Sequence, residues 1–286
     1  MLNAIIQFNS ADPVFSGRRT PSNPPLNAGV EVRPTTMAPM DLPAPFHEHG
    51  DHIAADLPGG TVLFSTRRGG VSHGPFASLN LGRLTDDSDA NVDANRERLA
   101  AAAGHARERF LYGRQVHGAS VRRATEPPGP SRPAVEEDGQ ATALDDAAAL
   151  VFTADCLPVM LVADGAVAAL HGGWRGLAGG IVAEGVAALR ELGASGPVAA
   201  ALGPAARGCC YEVGEEVHAR FAPYDARVGE RNLDLPAVAR AQLEAAGAAA
   251  VHDVGLCTMC GDPELFFSHR RDRGVTGRQA GVVWRA

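Results

Sequence analysis

The chain has 286 residues, a formal net charge of −7, and 45% hydrophobic but only 5% aromatic residues. Proteins of this length in the α/β and all-β classes often form one domain, and a core of this composition rests on Val, Leu and Ala rather than on rings. The acidic balance argues against a nucleic-acid-binding protein, which would usually present a basic stripe, and no apolar run approaches the roughly 18 residues of a membrane span. We therefore expect neither a nucleic-acid nor a membrane partner.

The cysteine count and the N-terminus indicate the compartment. Five cysteines, an odd number, are more typical of reduced thiols or metal ligands than of a disulfide framework. The N-terminus lacks the basic start and long apolar run of a secretory signal, so we expect a cytoplasmic protein. Residues 1–45 are rich in Pro, Ser, Asn and Thr without periodicity, which predicts a disordered extension before a single domain over 46–286.

Periodicity and turn signals divide the rest of the chain into strands and helices. The ordered part is predicted to open with the strand 61–65, and two irregular loops are expected at 66–82 and 126–139. Because strands and helices mix throughout, the fold class is predicted to be α/β or α+β. The other predicted strands are 110–116, 198–202, 251–255 and 280–284, and the predicted helices are 89–104, 180–192, 214–221 and 235–246.

The stretch VFTADCLPVMLVADGAVAALHGGWR, from Val151 to Arg175, is the chemical centre of the sequence. Its apolar segments predict two buried strands, 151–162 and 166–170, joined by a turn at Asp164–Gly165. Cys156 is then expected within the first strand and His171 at the end of the second. Side chains on adjacent strands can converge, and thiolate plus imidazole is a ligand pair suited to zinc.

A third candidate ligand is His117, in the motif QVHG after the strand 110–116. Two histidines and one cysteine would leave the fourth position of tetrahedral zinc open for water or substrate, as catalytic sites require. The glycines beside both histidines, Gly118 and Gly172–Gly173, permit close approach of the backbone. The alternative is that each of these residues is an inert part of the core or surface, because the three are far apart in sequence.

Eight motifs follow one another between about residue 60 and the C-terminus: TRRGGVSHGPFASLNLG, ANRERL, QVHG, TADCLPV, LHGGWRG, GPAARGCCYEVG, LCT and FFSHRRDRGVTGRQA. In this order they resemble the YfiH-like laccase-domain family, which includes purine nucleoside phosphorylases once classed as multicopper polyphenol oxidases. The resemblance implies a layered sandwich of mixed β-sheets packed inside helices. It also implies that His117, Cys156 and His171 bind zinc, with copper as the less favoured metal.

The activity implied by the resemblance is phosphorolysis of adenosine, inosine, guanosine and methylthioadenosine to the base and ribose 1-phosphate, together with deamination of adenosine. The expected partners are thus small purine nucleosides and phosphate. Phosphorolysis needs a cationic or amide-rich pocket for phosphate and a group that makes the purine a better leaving group. Deamination needs an activated hydroxide and an acid for the departing amine.

Four polar residues are candidates for the substrate side of this site. Arg67 and Arg175 have the fork geometry that suits phosphate or a purine carbonyl, and Asn80 and Gln115 can donate and accept hydrogen bonds at once. Each has a structural alternative. Arg67 could be a solvated loop charge, Arg175 could hold the following helix, Asn80 could form an Asx turn, and Gln115 could orient His117.

Three further side chains near the motifs are assigned smaller roles. Asp155 is expected to point away from Cys156 on the same strand, as a supporting carboxylate rather than a ligand. Asp138 aligns with an aspartate of the family in a segment that departs from the usual pattern. Trp174 could stack on a purine, although burial beneath the following helix is the favoured interpretation.

The remaining cysteines are the vicinal pair Cys209–Cys210 and the C-x-x-C pair Cys257 and Cys260. They could form a second metal site or a redox pair. Because a vicinal pair does not easily chelate one ion and a single C-x-x-C is half of a structural zinc site, we expect buried cysteines that act as small hydrophobic residues.

Two other functions compete with the nucleoside phosphorylase. A copper polyphenol oxidase requires about ten His and Cys ligands in paired H-x-H spacing, and the chain has one such pair, His47 and His49 near His52, in its expected mobile start. A role in editing cell-wall precursors, which is attached to bacterial members of the family, requires a pocket that admits a nucleotide-linked sugar. The oligomeric state is not predicted.

Overall fold

Two six-stranded mixed sheets form the centre of the structure, a computed structural model that describes residues 40–127 and 135–286. Most of the predicted extension, residues 1–39, and part of the predicted loop 126–139, residues 128–134, lie outside the described residues. The described strands are β1 (His47–His49), β2 (His52–Leu57), β3 (Gly60–Phe64), β4 (Phe110–Leu111), β5 (Val121–Ala124), β6 (Gly139–Thr142), β7 (Ala148–Thr153), β8 (Leu157–Asp164), β9 (Ala166–Gly172), β10 (Ser195–Leu202), β11 (Arg227–Val228), β12 (Asn232–Leu233), β13 (Ala248–Asp253) and β14 (Gln279–Arg285).

The helices cover much less of the chain than the strands. Among the described helices, none is both long and apolar enough to cross a membrane. They are α1 (Asp89–Ala102), α2 (Trp174–Ala178), α3 (Ile181–Glu191), α4 (Glu215–Phe221) and α5 (Leu235–Ala245).

The strand orders join distant parts of the chain. The first sheet has the order β1-β2-β3-β14-β7-β4, and the second has the order β13-β10-β8-β9-β6-β5. The C-terminal strand β14 pairs with both β3 and β7, so the end of the chain completes the middle of the first sheet. β11 and β12 form a separate small hairpin.

The two sheets pack face to face with helices on their outer sides. Phe64 and Val151 of the first sheet share a buried apolar cluster with Met160 and Val167 of the second. On the outer face of the first sheet, α1 packs through Leu99, and α3 and α5 cover the outer face of the second sheet. The result is an α/β/β/α sandwich, which confirms the predicted class of mixed sheets packed inside helices.

Local signals placed most helices and one hairpin correctly. The side chain of Ser88 accepts a hydrogen bond from the backbone N–H of Asn91 at 3.2 Å and caps α1, directly before the predicted start of this helix at residue 89. The chain leaves this helix at Gly104, whose φ of 70° is left-handed. The turn predicted at Asp164–Gly165 joins β8 to β9, with Gly165 at φ 92°.

The prediction of one strand through Cys156 is wrong. β7 ends at Thr153 in the first sheet and β8 begins at Leu157 in the second, so residues 154–156 form a bend between sheets. Asp155 has φ 88°, a left-handed conformation that ends an extended strand. The apolar segments before and after Cys156 therefore belong to different sheets. Cys156 itself lies in the bend that connects them rather than on a strand.

Two further expectations about the first half of the chain are wrong. The ordered part opens well before residue 61, because β1 and β2 pair with β3 and place Ile53 in the core. His47 and His49 thus lie on an edge strand, and His52 is buried. The strand predicted over 110–116 is reduced to β4, and the chain after it runs as a loop toward His117.

Candidate metal centre

His117, Cys156 and His171 meet at one point although different elements carry them. His117 lies in the loop after β4, Cys156 in the bend between β7 and β8, and His171 near the end of β9. One ligand atom from each residue lies within 4.8 Å of the other two, and the imidazole centroids are 4.9 Å apart. His171 is buried, Cys156 is partly buried and His117 is exposed, so the group is open to solvent on the side of His117.

Asp138 holds both histidines of this group in place through hydrogen bonds. Its carboxylate accepts a hydrogen bond from Nδ1 of His171 at 2.7 Å and from the backbone N–H groups of Val116, His117 and Gly118 at 3.0, 2.9 and 2.7 Å. Because Nδ1 of His171 donates to the carboxylate, Nε2 is the nitrogen whose lone pair the neutral ring offers to a metal. The same carboxylate therefore sets the tautomer of one histidine and the backbone position of the other.

The charges of the group are coupled. Burial opposes ionisation of Asp138, but the hydrogen bonds from His171, Val116 and Gly118 lower the pKa of its carboxyl below the ordinary value. Burial likewise opposes the Cys156 thiolate, yet the charge of His171 and hydrogen bonds from both histidines lower the pKa of that thiol to about 6. Against burial, the thiolate of Cys156 and the hydrogen bond to Asp138 raise the pKa of His171 to about 9.

The metal-free group is therefore a thiolate beside a protonated imidazole at neutral pH. A metal ion binds deprotonated ligands, so it must displace the proton of His171 but finds Cys156 already ionised. Two imidazole nitrogens and one thiolate sulfur form a donor set typical of zinc in sites with an open position.

A left-handed backbone at His117 and the lack of a side chain at Gly173 make the convergence possible. His117 has φ 62°, a left-handed conformation that is uncommon for residues other than glycine and that is often found at functional sites. Gly173 lies so close that an added Cβ would be 3.2 Å from both Sγ of Cys156 and Cδ2 of His117. A side chain at position 173 would thus crowd two of the candidate ligands.

Asp155 supports the bend that carries Cys156. Its carboxylate accepts hydrogen bonds from Oγ1 of Thr258 and from the backbone N–H of Arg270, both at 2.7 Å. Its carbonyl accepts one from the N–H of Ala206 at 2.8 Å. Asp155 is thus a supporting carboxylate, as expected from the sequence, although it lies in a left-handed bend rather than on a strand.

The two candidate arginines occupy different environments. Arg175 is exposed, and its guanidinium carbon lies 4.5 Å from the centre of the half-buried Trp174 ring. Arg67 donates from Nε to the carbonyl of Ala77 at 2.6 Å and from Nη1 to that of Pro263 at 2.8 Å. Within the part of the chain that the structure describes, no hydrogen bond engages the Arg175 guanidinium, whereas most of the Arg67 fork holds two loops together.

The amide side chains of Asn80 and Gln115 are also engaged with the chain. Buried Asn80 accepts from the N–H groups of Gly82 and Arg278 at 3.0 and 2.9 Å and donates to Thr85 and Asp87 at 3.0 Å. Gln115 exchanges two hydrogen bonds with the backbone of Phe152, at 2.7 and 2.8 Å. The geometry favours the structural alternative for Asn80, an Asx turn, and makes Gln115 an anchor for the loop that carries His117.

Sequence reasoning did not single out Tyr211, a tyrosine whose ionisation is affected by the charges of this group. Burial first, and then the charges of Cys156 and Asp155, raise the pKa of Tyr211 to about 12, while Arg270 and Arg175 act in the opposite direction. The guanidinium carbon of Arg270 lies 5.3 Å from the centre of the tyrosine ring. Tyr211 was visible only as part of the motif GCCYEVG, because nothing in the sequence relates it to Cys156.

The expectation of buried hydrophobic cysteines at the other four positions is wrong. Cys209 and Cys260 are exposed, and Cys210 and Cys257 are partly buried. Their sulfur atoms all lie within 4.8 Å of one another. Within the described ranges, this cluster and the His117–Cys156–His171 group are the two sets of three or more side chains arranged to share a metal ion.

Comparison with known proteins identifies the family. A family model described as "Multi-copper polyphenol oxidoreductase laccase" matches residues 61–286. The chain belongs to this family. The resemblance of the eight motifs to YfiH-like laccase-domain proteins is thereby confirmed.

Relatives and solved structures in the family share most of their length with this chain. A Streptomyces coelicolor protein named purine nucleoside phosphorylase is 42% identical over 231 residues, which are 77% of this chain and 93% of the relative. The purine nucleoside phosphorylase YlmD of Geobacillus stearothermophilus is 37% identical over 81% of this chain and 92% of its own. The crystal structure of YlmD from that organism superposes with a TM-score of 0.76 at 34% identity, covering 84% of this chain and 98% of YlmD.

Proposed function

We propose that the protein is a zinc-dependent purine nucleoside phosphorylase that also deaminates adenosine. Its substrates would be phosphate and adenosine, inosine, guanosine or methylthioadenosine. The observation that carries the proposal is the open His117–Cys156–His171 group, held by Asp138, in a chain whose relatives at 37–42% identity are named purine nucleoside phosphorylase.

The residues of the group fit zinc. Two neutral imidazoles and a thiolate are ligands that zinc prefers, and three protein ligands leave a fourth position free. When bound, the metal would supply Lewis-acid polarisation of a substrate atom. The hydrogen bond from His171 to Asp138 is the contact that typically raises ligand basicity and orients the ring in such sites.

Arg175 is proposed to bind phosphate. In phosphorolysis, a phosphate oxygen forms a bond to C1′ of the ribose while the bond from C1′ to the purine nitrogen breaks, and the electron pair leaves with the base. An exposed guanidinium held against the Trp174 ring can contact two phosphate oxygens at once. This contact would orient the nucleophile and reduce the entropy cost of bringing it to the sugar.

Tyr211 is proposed to assist the departing purine. An ordinary tyrosine hydroxyl is already protonated at neutral pH, and burial and the neighbouring anions raise the pKa of Tyr211 further, to about 12. A protonated phenol can donate a hydrogen bond to a ring nitrogen that gains charge as the bond to the sugar breaks. Arg67 would act indirectly, by fixing the loop 66–82 through its bonds to Ala77 and Pro263.

Incubation with inosine and phosphate tests the proposal. The zinc-loaded protein should release hypoxanthine and ribose 1-phosphate only when phosphate is present, and Cys156→Ser and His171→Ala should abolish the release. His47→Ala, a change on the exposed edge strand β1, serves as the matched control and should leave the rate unchanged. Release of hypoxanthine without phosphate, or full activity in Cys156→Ser, would exclude the proposed reaction.

Adenosine separates the two activities. Without phosphate, deamination should yield inosine and ammonia, whereas with phosphate adenine should also appear. Metal analysis of protein expressed without added copper addresses the oxidase alternative, since zinc bound in proportion to activity supports the phosphorylase. Copper bound at the same residues together with oxidation of phenols would support the oxidase instead.

A further inference from the structure

We propose a second metal site on this protein, a structural zinc tetrathiolate formed by Cys209, Cys210, Cys257 and Cys260. The site is separate from the His117–Cys156–His171 group, and the proposal does not depend on which reaction that group performs. Four protein ligands close the coordination sphere of zinc, so the site would stabilise the fold rather than bind substrate.

The sulfur positions match one ion better than two covalent bonds. The distances between sulfur atoms are 3.0 Å for Cys209 and Cys260, 3.4 Å for Cys210 and Cys257, and 3.6 Å for Cys209 and Cys210. Zinc–sulfur bonds of about 2.3 Å in a tetrahedron separate the sulfurs by about 3.8 Å. A disulfide requires about 2.05 Å, so the observed spacing lies nearer to a tetrathiolate.

Backbone contacts bring the two cysteine pairs together. Residues 208–210 form a turn, which is why both sulfurs of the vicinal pair face the same side. The turn is held beside the second pair by a bridge between Ala205 and Cys257 and by the hydrogen bond from the N–H of Thr258 to the carbonyl of Ala205 at 3.0 Å. The sequence shows only two half-sites; the contact between them comes from the fold.

The C-x-x-C segment forms a tight turn. Residues 258–260, which end at its second cysteine, are in turn conformation. Gly261 follows directly, and an added Cβ there would lie 2.3 Å from the carbonyl oxygen of Cys257, so the turn is closed by the one residue that fits.

The cluster is open to solvent at two of its four cysteines. Cys209 and Cys260 are exposed, which gives an ion from solution access to the cluster.

Hydrogen bonds connect the cysteine cluster to the residue beside Cys156 in the first site. Thr258, between the two cysteines of the C-x-x-C pair, donates to the carboxylate of Asp155 at 2.7 Å, and Ala206, beside the vicinal pair, donates to its carbonyl at 2.8 Å. Asp155 precedes Cys156 in the bend between the sheets. The proposed zinc would therefore clamp the segments that fix the position of Cys156.

The number of zinc ions per chain tests the proposal. The full chain, reconstituted with zinc and freed of unbound metal, should hold two ions, and Cys260→Ser and Cys156→Ser should each hold one. The variant with both changes should hold none. Circular dichroism must show a folded protein in each case, and Cys209→Ser, at the other exposed position, replaces Cys260→Ser if the latter does not fold.

Thiol counting distinguishes metal from disulfides. After denaturation with a chelator and without reductant, the zinc protein should expose five reactive thiols, whereas two disulfides within the cluster would leave one. A zinc count that is unchanged in Cys260→Ser, or a single reactive thiol, would overturn the proposed site. Because Cys156→Ser removes only the first site, failure of the nucleoside phosphorylase activity would not affect this result.

Discussion

At the scale of single residues, Asp138 connects both candidate histidine ligands. It accepts four hydrogen bonds, of which three come from the backbone of residues 116–118 and one from His171. In Asp138→Asn, the amide nitrogen cannot accept a hydrogen bond from Nδ1 or from a backbone N–H. Zinc affinity, measured by competition with a chelator, should fall about 10–100-fold, while Asp86→Asn, a change at an exposed position, should have no effect. Equal affinities in the two variants would contradict the role given to Asp138.

Proton release predicts how zinc affinity changes with pH. Because the pKa of His171 is raised to about 9, the metal-free site holds one proton on this ring at pH 7, while Cys156, with a pKa of about 6, is already ionised. Zinc must displace the proton of His171, so affinity should rise roughly tenfold per pH unit from pH 7 and level off above about 9. Chelator competition at pH 7, 8 and 9 checks the slope. A flat profile over this window would mean that His171 is neutral before the metal binds.

At the scale of elements, the short helix α2 packs closely against the two segments that carry His117 and His171. An added Cβ at Gly176 would lie 2.9 Å from the carbonyl oxygen of Gly118 and 3.1 Å from that of His171. Helix propensity alone would make Gly176→Ala stabilising by about 0.5–1 kcal/mol. We expect the opposite, a loss of about 1–3 kcal/mol from overpacking together with weaker zinc binding, measured by thermal unfolding and metal titration. A variant at least as stable as the wild type would show that α2 does not pack this tightly.

The elements also show what a sequence can and cannot specify. The helix α1 and the hairpin β8–β9 were predictable because a cap, a terminal glycine and a turn glycine are local signals. The bend at Asp155 was not, since its left-handed backbone is held by Thr258 and Arg270, about a hundred residues away in sequence. The early strand β2 was missed because His52 and Asp56 interrupt its apolar residues, and only pairing with β3 shows its buried side.

The candidate site also combines residues that the sequence predicts with residues whose roles depend on long-range contacts. Ligand type and neighbouring glycines identified His117, Cys156 and His171, and the family resemblance supplied their common role. The importance of Asp138 and the proximity of Tyr211 depend on contacts between strands and loops that no spacing rule gives. The four cysteines were misjudged for the same reason, because each pair is half of a cluster that forms only when the loops after β10 and β13 meet.

At the scale of the whole molecule, metal binding should contribute to stability. A ligand that binds only the folded state at 100 times its Kd adds about 2.7 kcal/mol, which for a domain of this size corresponds to an increase in Tm of about 5–10 °C. Removal of zinc by a chelator should therefore lower the Tm of the wild type by this amount, and re-addition of zinc should restore it. Calorimetry measures the Tm with the chelator. The control uses the same concentration of chelator already saturated with zinc. An unchanged Tm would mean that the folded chain does not bind zinc in preference to the unfolded chain.

The position of the first metal is tested most directly by diffraction from crystals of the zinc-loaded chain at wavelengths on both sides of the zinc absorption edge. We expect an anomalous peak at about 2.0–2.1 Å from a ring nitrogen of His117 and of His171 and about 2.3 Å from Sγ of Cys156, with no fourth protein atom in the coordination sphere. No peak among these three residues, or a fourth protein ligand that closes the site, would contradict an open catalytic metal centre.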